Sequence, residues 1–416
     1  MRARSHKYPD SDSDSDNYTD TTFFHKEEKY LDVGYQRLKV FNIKLYPELS
    51  IVKKLFIDHN NLTVLPDPKY LPNLTELTCS SNKLKKIPFY PKLIFLNIAH
   101  NQITDCSCYN NTNLKYFDCS FNPGFKLNFS LPSCNQLYIN DVLLKEIDLK
   151  LVPNITILDC SNNRLAKITG GTNLVEINIQ SNCVKELPEW PSLLRLAADY
   201  NQIEVLPTFQ NMVSAFISYN KLKKICDQPS IKKIIANNNN ISDLGKMPKL
   251  ELIDFSHNNL QTFVVPDRSE YVSLQFNPIV KIKLGETVLK TIKELQVNIP
   301  TYEYLYSHYY DNFKAVSVQA NGVKLEEYLK KLSNVFNDTI AKYIFNKFNG
   351  TKFREIEKEI FKISLRLYIE YFTDGNINDL DKIIYTKEFK YLLDNIWKLY
   401  YKTTVVTLYF NDLFEN

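Results

Sequence analysis

Along most of this chain, apolar residues recur at the first, fourth, sixth, eleventh and fourteenth places of a block about twenty residues long, with polar residues between them. Leu74, Leu77, Cys79, Leu84 and Ile87 fill these places in one block, and Leu250, Ile253, Phe255, Leu260 and Phe263 in another. Alternation around places four and six suits a short strand with one buried face. The ninth place is polar and nearly constant: Asn60, Asn82, Asn101, Asn122, Asn163, Asn182, Asn201, Asn220, Asn239, Asn258 and Asn277. Twelve blocks begin at Val52, Leu74, Leu93, Leu114, Cys134, Ile155, Leu174, Leu193, Met212, Ile231, Leu250 and Ser269, and from Leu174 onward the spacing is a strict nineteen. A weaker block precedes them (Leu31, Val33, Gln36, Leu38, Phe41), and Ile292, Leu295 and Val297 fit a further one. A fixed period of this length predicts an α/β-type repeat solenoid whose neighbouring strands pair in parallel. Such a molecule offers an extended binding surface rather than a catalytic pocket.

The pattern L-x-x-L-x-L-x-x-N-x-L resembles the leucine-rich repeat, over about two thirds of the chain. That resemblance implies a curved parallel β-sheet, with each asparagine amide turned inward to satisfy loop backbone groups. Val142 replaces the asparagine in the fifth block and Gly124 takes the eleventh place of the fourth, so a local irregularity is expected there. Nineteen residues leave no room for a full return helix. The stretches Ile87-Pro-Phe-Tyr-Pro91, Leu187-Pro-Glu-Trp-Pro191 and Leu206-Pro-Thr-Phe209 predict an extended convex side, because proline lacks a donor and favours polyproline geometry. This punctuation is similar to the short repeats of bacterial effector proteins, several of which carry a ubiquitin-ligase domain built on a catalytic cysteine. Here the last cysteine is Cys226, so the resemblance carries over the fold and not the ligase activity.

The flanking regions differ in character. Residues 1–27 read as a disordered tail, with a basic start and then Ser11-Asp-Ser-Asp-Ser-Asp16; Ser11 and Ser13 each have Asp three residues on, the spacing an acid-directed kinase would use. Residues 28–300 form the solenoid. Over residues 301–416 the asparagine period stops and helical spacing takes over, as in Leu325, Tyr328, Leu329 and Leu332, and again in Ile356, Ile360, Ile363 and Leu367. A small α-helical domain or cap is predicted there. No apolar run is long enough for a membrane span or secretory segment, so a cytoplasmic protein with reduced cysteines is expected. Scarce glycine with abundant Lys, Asn, Ile and Tyr fits an AT-rich genome, and such repeat proteins are similar to those encoded by large DNA viruses.

Candidate chemistry is thin. Cys79, Cys119 and Cys160 stand at the apolar sixth place and read as core residues, while Cys106-x-Cys108 is too short for a zinc knuckle. His59, His100 and His257 share the eighth place but are too dispersed to hold one metal, and they read as exposed polar residues. Asp118 and Asp159 share the fifth place and read as a solvated face. No phosphate loop, zinc spacing or nucleophile motif is present, so no catalysis, cofactor or metal is expected.

The strand face is more informative. Places three, five, seven and eight should be its exposed columns. They carry Asp58, Glu76, Asp118, Asp141, Asp159, Glu176, Asp199 and Asp254 against Lys54, Arg195 and Lys233, although the whole chain is net +4. An acidic face argues against nucleic acid. Aromatics gather on the same face, the composition of a protein interface. The expected function is a non-catalytic scaffold, a monomer, that binds a partner protein on its concave face through Tyr116, Tyr138, Asp159, Arg195, Asp199, Tyr200, Phe216 and Tyr219. The alternative is an effector or substrate adaptor whose helical C-terminal domain recruits a second protein such as a ligase or phosphatase.

Overall fold

A computed structural model of the chain describes residues 23–106, 112–298, 305, 315–320 and 404–409. They fall in two compact units, Met1–Asp159 and Cys160–Asn416. Each block supplies a three-residue strand covering its third to fifth places. In the first unit these are Lys54–Phe56, Glu76–Thr78, Phe95–Asn97, Tyr116–Asp118, Gln136–Tyr138 and Ile157–Asp159. They pair in parallel in chain order, with the fourth-place residues Leu55, Leu77, Leu96, Phe117, Leu137 and Leu158 in register. The second unit repeats this with Glu176–Asn178, Arg195–Ala197, Ser214–Phe216, Lys233–Ile235, Leu252–Asp254, Tyr271–Ser273 and Glu294–Asn298. Each unit is thus a stack of β-solenoid turns. A constant period sets like on like, so the fourth- and sixth-place side chains form continuous apolar columns that exclude water. Cys79, Cys119 and Cys160 are fully buried members of the sixth-place column.

The asparagines bind consecutive turns together. The Asn201 amide donates to the carbonyls of Ala198 and Asp199 in its own turn and of Ile179 in the preceding one, at 3.2, 3.3 and 2.8 Å. Its oxygen accepts from the Val184 N–H of that preceding turn at 3.0 Å. Asn82, Asn101, Asn220, Asn239 and Asn258 repeat the pattern. Buried carbonyls and an N–H that no strand could pair are satisfied by one side chain. The residue just before each asparagine is left-handed: from His59 to Phe276 the eighth place has φ between 52° and 57°, with no glycine among twelve residues. This conformation turns the chain while keeping its N–H in the ladder, as Tyr200 N does on the Ser218 carbonyl at 3.0 Å. At Val142 the irregularity takes the form of a second left-handed residue, Leu143, with φ 68°.

The return side is extended, with additions the sequence did not announce. In the second unit it forms parallel ladders of its own: Val205–Leu206, Lys224–Ile225 and Asp243–Leu244 pair in order, and Thr262–Val264 pairs with Lys281–Lys283. In the first unit Pro47–Ile51 and Pro68–Tyr70 are 3-10 turns begun by proline, whose fixed φ suits a first helical residue. Both chain ends of the stacks are closed by antiparallel strands. Phe23–His25, at the end of the expected tail, pairs with Tyr30–Asp32. Glu294–Asn298 pairs with Thr404–Tyr409, which in turn pairs with Ala315–Ala320. The helical stretches expected between those last two strands, and Ser11 and Ser13, lie outside the described residues. Among the described residues no helix is long and apolar enough to cross a membrane.

Candidate functional site on the strand faces

Of the four columns expected to be exposed, the seventh-place one is the least so, half-buried at Asp58, Asn140, Asp199 and Asn237. At the seventh place Ser120, Ser161, Ser218 and Ser256 are buried, because the chain is already turning and this side chain lies along the stack rather than outward. Acidic residues at that place are tied to neighbouring turns. Asp199 accepts from Ser218 N at 2.6 Å and from Gln180 Nε2 at 2.6 Å. Asp58 accepts from Ser80 N and Ser80 Oγ at 2.7 and 2.8 Å, and from the Thr78 hydroxyl. The three basic residues of the face are also engaged. Lys54 pairs with Glu76 and Arg195 with Glu176, each at 3.1 Å, and Lys233 Nζ stands 4.9 Å from the Phe216 ring centre. These exposed ion pairs contribute little stability, yet they cancel most of the positive charge on the face.

The eighth place carries the rings. Its left-handed backbone aims successive side chains in one direction, so rings in adjacent turns lie flat on each other. Tyr200 and Tyr219 stack at 4.6 Å with 6° between planes, and they remain 55% and 48% exposed. Tyr35 stacks on His59 at 4.3 Å, His100 on Phe121 at 4.0 Å and His257 on Phe276 at 4.1 Å. The eighth-place histidines are therefore members of ring pairs, and burial lowers the pKa of His257. Phe216 lies one column away, half-buried beneath Lys233. In the first unit a second row runs across three strands: Phe95 stacks on Tyr116 at 4.0 Å, and Tyr116 meets Tyr138 at 5.2 Å. Burial, with Asp118 and Tyr138 nearby, raises the Tyr116 phenol well above its ordinary value.

The eight expected binding residues do not form one cluster. Asp199, Tyr200 and Tyr219 come together, Phe216 and Arg195 flank them on the same strands, and Tyr116 and Tyr138 form the separate row of the first unit. Asp159 is half-buried at the end of Ile157–Asp159. Asp118 is half-buried rather than solvated, and burial raises its carboxyl pKa despite hydrogen bonds from Ser120. It borders a hollow of about 300 Å³ on the strand face of the first unit, lined among others by His59, His100, Phe121, Tyr138 and Asn140. No sequence motif marks this hollow. Its walls come from the fifth, seventh and eighth places of successive blocks, and only knowledge of the eighth-place conformation would bring them together. Among the described residues no group of three or more His, Cys, Asp or Glu is placed to hold a metal.

No sequence-family model matches the chain. A leucine-rich repeat protein of Acanthamoeba polyphaga mimivirus is 49% identical over 421 aligned residues, covering 99% of each chain. Rabbit (Oryctolagus cuniculus) lumican is 32% identical over 164 residues, which is 35% of this chain and 84% of that one. Among solved structures, the leucine-rich repeat domain of APL1B superposes with a TM-score of 0.53 at 19% identity, covering 67% of this chain and 87% of that domain.

Proposed function

The chain belongs to the leucine-rich repeat proteins, as the full-length likeness to the mimivirus protein establishes, and from that premise we propose that it is a non-catalytic scaffold that binds a partner protein on its strand face. The fold is typical of protein-interaction scaffolds, since stacked turns present a continuous ordered surface without a deep pocket. The observation that carries the reading is the Tyr200–Tyr219 pair. Two large rings stand about half exposed on a face whose basic side chains are already paired. Aromatic anchors held rigid by stacking suit a protein interface, because little further entropy is lost when a partner covers them. The acid groups beside them favour a partner surface rich in amides or cations.

The experiment is a substitution of all three anchors, Tyr200→Ala, Phe216→Ala and Tyr219→Ala, in the full chain. Partners are captured from host cells and compared by mass spectrometry with those of the unaltered protein and of a Lys223→Ala, Lys224→Ala control. The expected result is loss of the main partner by the triple variant alone, with circular dichroism unchanged, each ring contributing ~2 kcal/mol or more. A folded triple variant that retains the same partners would refute this reading and turn attention to the return side.

A further inference from the structure

We propose that the hollow bordered by Asp118 in the first unit is a receptor for a cationic side chain, arginine above all, presented by a protein partner. The inference deepens the scaffold reading and rests on it, but it concerns a different part of the strand face from the tyrosine pair. Four observations carry it.

First, the hollow is the right size and composition. At about 300 Å³ it would take one long side chain, and the rings of Phe121 and Tyr138 border it, with no Lys or Arg among its lining residues. Aromatic walls with a carboxylate match a guanidinium, which stacks on rings and donates to a carboxylate in a plane.

Second, the negative charge of Asp118 is not needed by the fold. Its Oδ1 accepts from Ser120 N at 3.0 Å, a fifth-to-seventh-place bond that recurs in several turns. Asn97 makes the same bond to Ala99 N at 2.9 Å, and Asn178 makes it to Gln180 N at 3.1 Å. A neutral amide therefore serves elsewhere in the same chain, and the charge at Asp118 is surplus to the turn.

Third, that charge is held at a cost. Burial is the largest influence on the carboxyl and raises its pKa; the Ser120 bonds and His100 oppose this, and Asp159 adds to it. Among the described residues no lysine or arginine offsets the desolvation. A carboxylate kept in a half-buried, cation-free position is stabilised when a cation arrives.

Fourth, further acids surround the hollow. Ser80 on its wall donates to Asp58, and Asn140 on its wall donates to Asp141 at 3.2 Å. Asp118 lines the hollow with His59 and His100, and Asp58 and Asp141 stand one hydrogen bond behind its wall.

The test uses the full chain and three short peptides, identical except for a central arginine, lysine or citrulline, with binding followed by ligand-detected NMR. Citrulline keeps the shape of arginine and removes its charge. The arginine peptide is expected to bind at millimolar concentration or better, and the citrulline peptide at least about tenfold more weakly. Asp118→Asn should lower arginine affinity by about tenfold. The same variant should melt no lower than the wild type at neutral pH. A raised folded pKa means that ionised Asp118 disfavours the fold there, and the difference should vanish as pH falls to the ordinary carboxylate range. Tyr200→Ala with Tyr219→Ala should leave peptide binding unchanged, which separates this site from the tyrosine pair. Equal binding of citrulline, no loss on Asp118→Asn, or no detectable binding of the arginine peptide would each overturn the proposal.

Discussion

A single asparagine amide closes two turns at once. Asn220 donates to the Ala198, Ile217 and Ser218 carbonyls at 2.9, 3.3 and 3.1 Å, and accepts from Ile203 N at 3.0 Å. Removing it by Asn220→Ala strands an N–H and a carbonyl of the preceding turn where water cannot reach. The expected loss is ~1–3 kcal/mol in a urea melt, whereas Asn61→Ala, beside the ladder residue Asn60 but itself outside the ladder, should cost under about 0.5 kcal/mol. Equal losses would show that the amide is not what holds these turns. The asparagine column was legible because the residue recurs eleven times at the ninth place of its block. The left-handed residue before it was not, since His, Ser, Phe, Asp, Asn and Tyr all occupy that place. A backbone requirement met by so many side chains leaves no compositional trace, so the ring stacks and the Asp118 hollow that depend on it were hidden too. A second amide column was likewise missed: Asn73, Asn154 and Asn211, each just ahead of its block, donate to carbonyls of Ser50, Pro132 and Pro191 at 3.0, 2.7 and 3.0 Å.

At the scale of elements, the strand-face sheet follows from alternation and period alone, and its register was readable residue by residue. The return-side ladders were not, because two-residue strands such as Val205–Leu206 carry no alternation to detect. Their packing is close. The Gly245 N–H donates to the Ile225 carbonyl at 2.7 Å, and a Cβ placed on Gly245 would collide with the Asp227 backbone nitrogen. Contact with backbone cannot be relieved by a side-chain rotation. Gly245→Ala is therefore expected to push Asp243–Leu244 away from Lys224–Ile225 and to destabilise the second unit by ~1–3 kcal/mol. Hydrogen exchange should show the lost protection in those two strands first, and unchanged exchange there would contradict the tight contact. Beside this glycine the return ladder breaks: Asp243–Leu244 pairs with Lys224–Ile225, and Thr262–Val264 with Lys281–Lys283, leaving a groove of about 520 Å³ lined by Met247, Leu250, Leu260 and Phe263 among others.

On the scale of the whole molecule, stacks need ends, and here both kinds of terminus are antiparallel strands rather than further repeats. A chain stopped at Lys283 would lose Glu294–Asn298, including Leu295 and Val297, both fully buried, and would leave the edge of Tyr271–Ser273 bare. Such a chain is expected to associate or precipitate when followed by light scattering. A monomer that melts like the full chain would show that the last strands are dispensable. The pairing of Ala315–Ala320 with Thr404–Tyr409 was not legible, because the two strands lie far apart along the chain and carry no common period. The asparagine ladder gives the second unit a further property, a mechanical one. Each amide from Asn201 to Asn277 reaches back to the turn immediately before it and no further. Under tension applied at the C-terminal side, load falls on one set of bonds at a time, and once they part the next identical set takes the strain. Every rupture frees nineteen residues, about 65 Å of extended chain, so past its cap this unit would yield as a zip does, in equal small steps at a nearly level force.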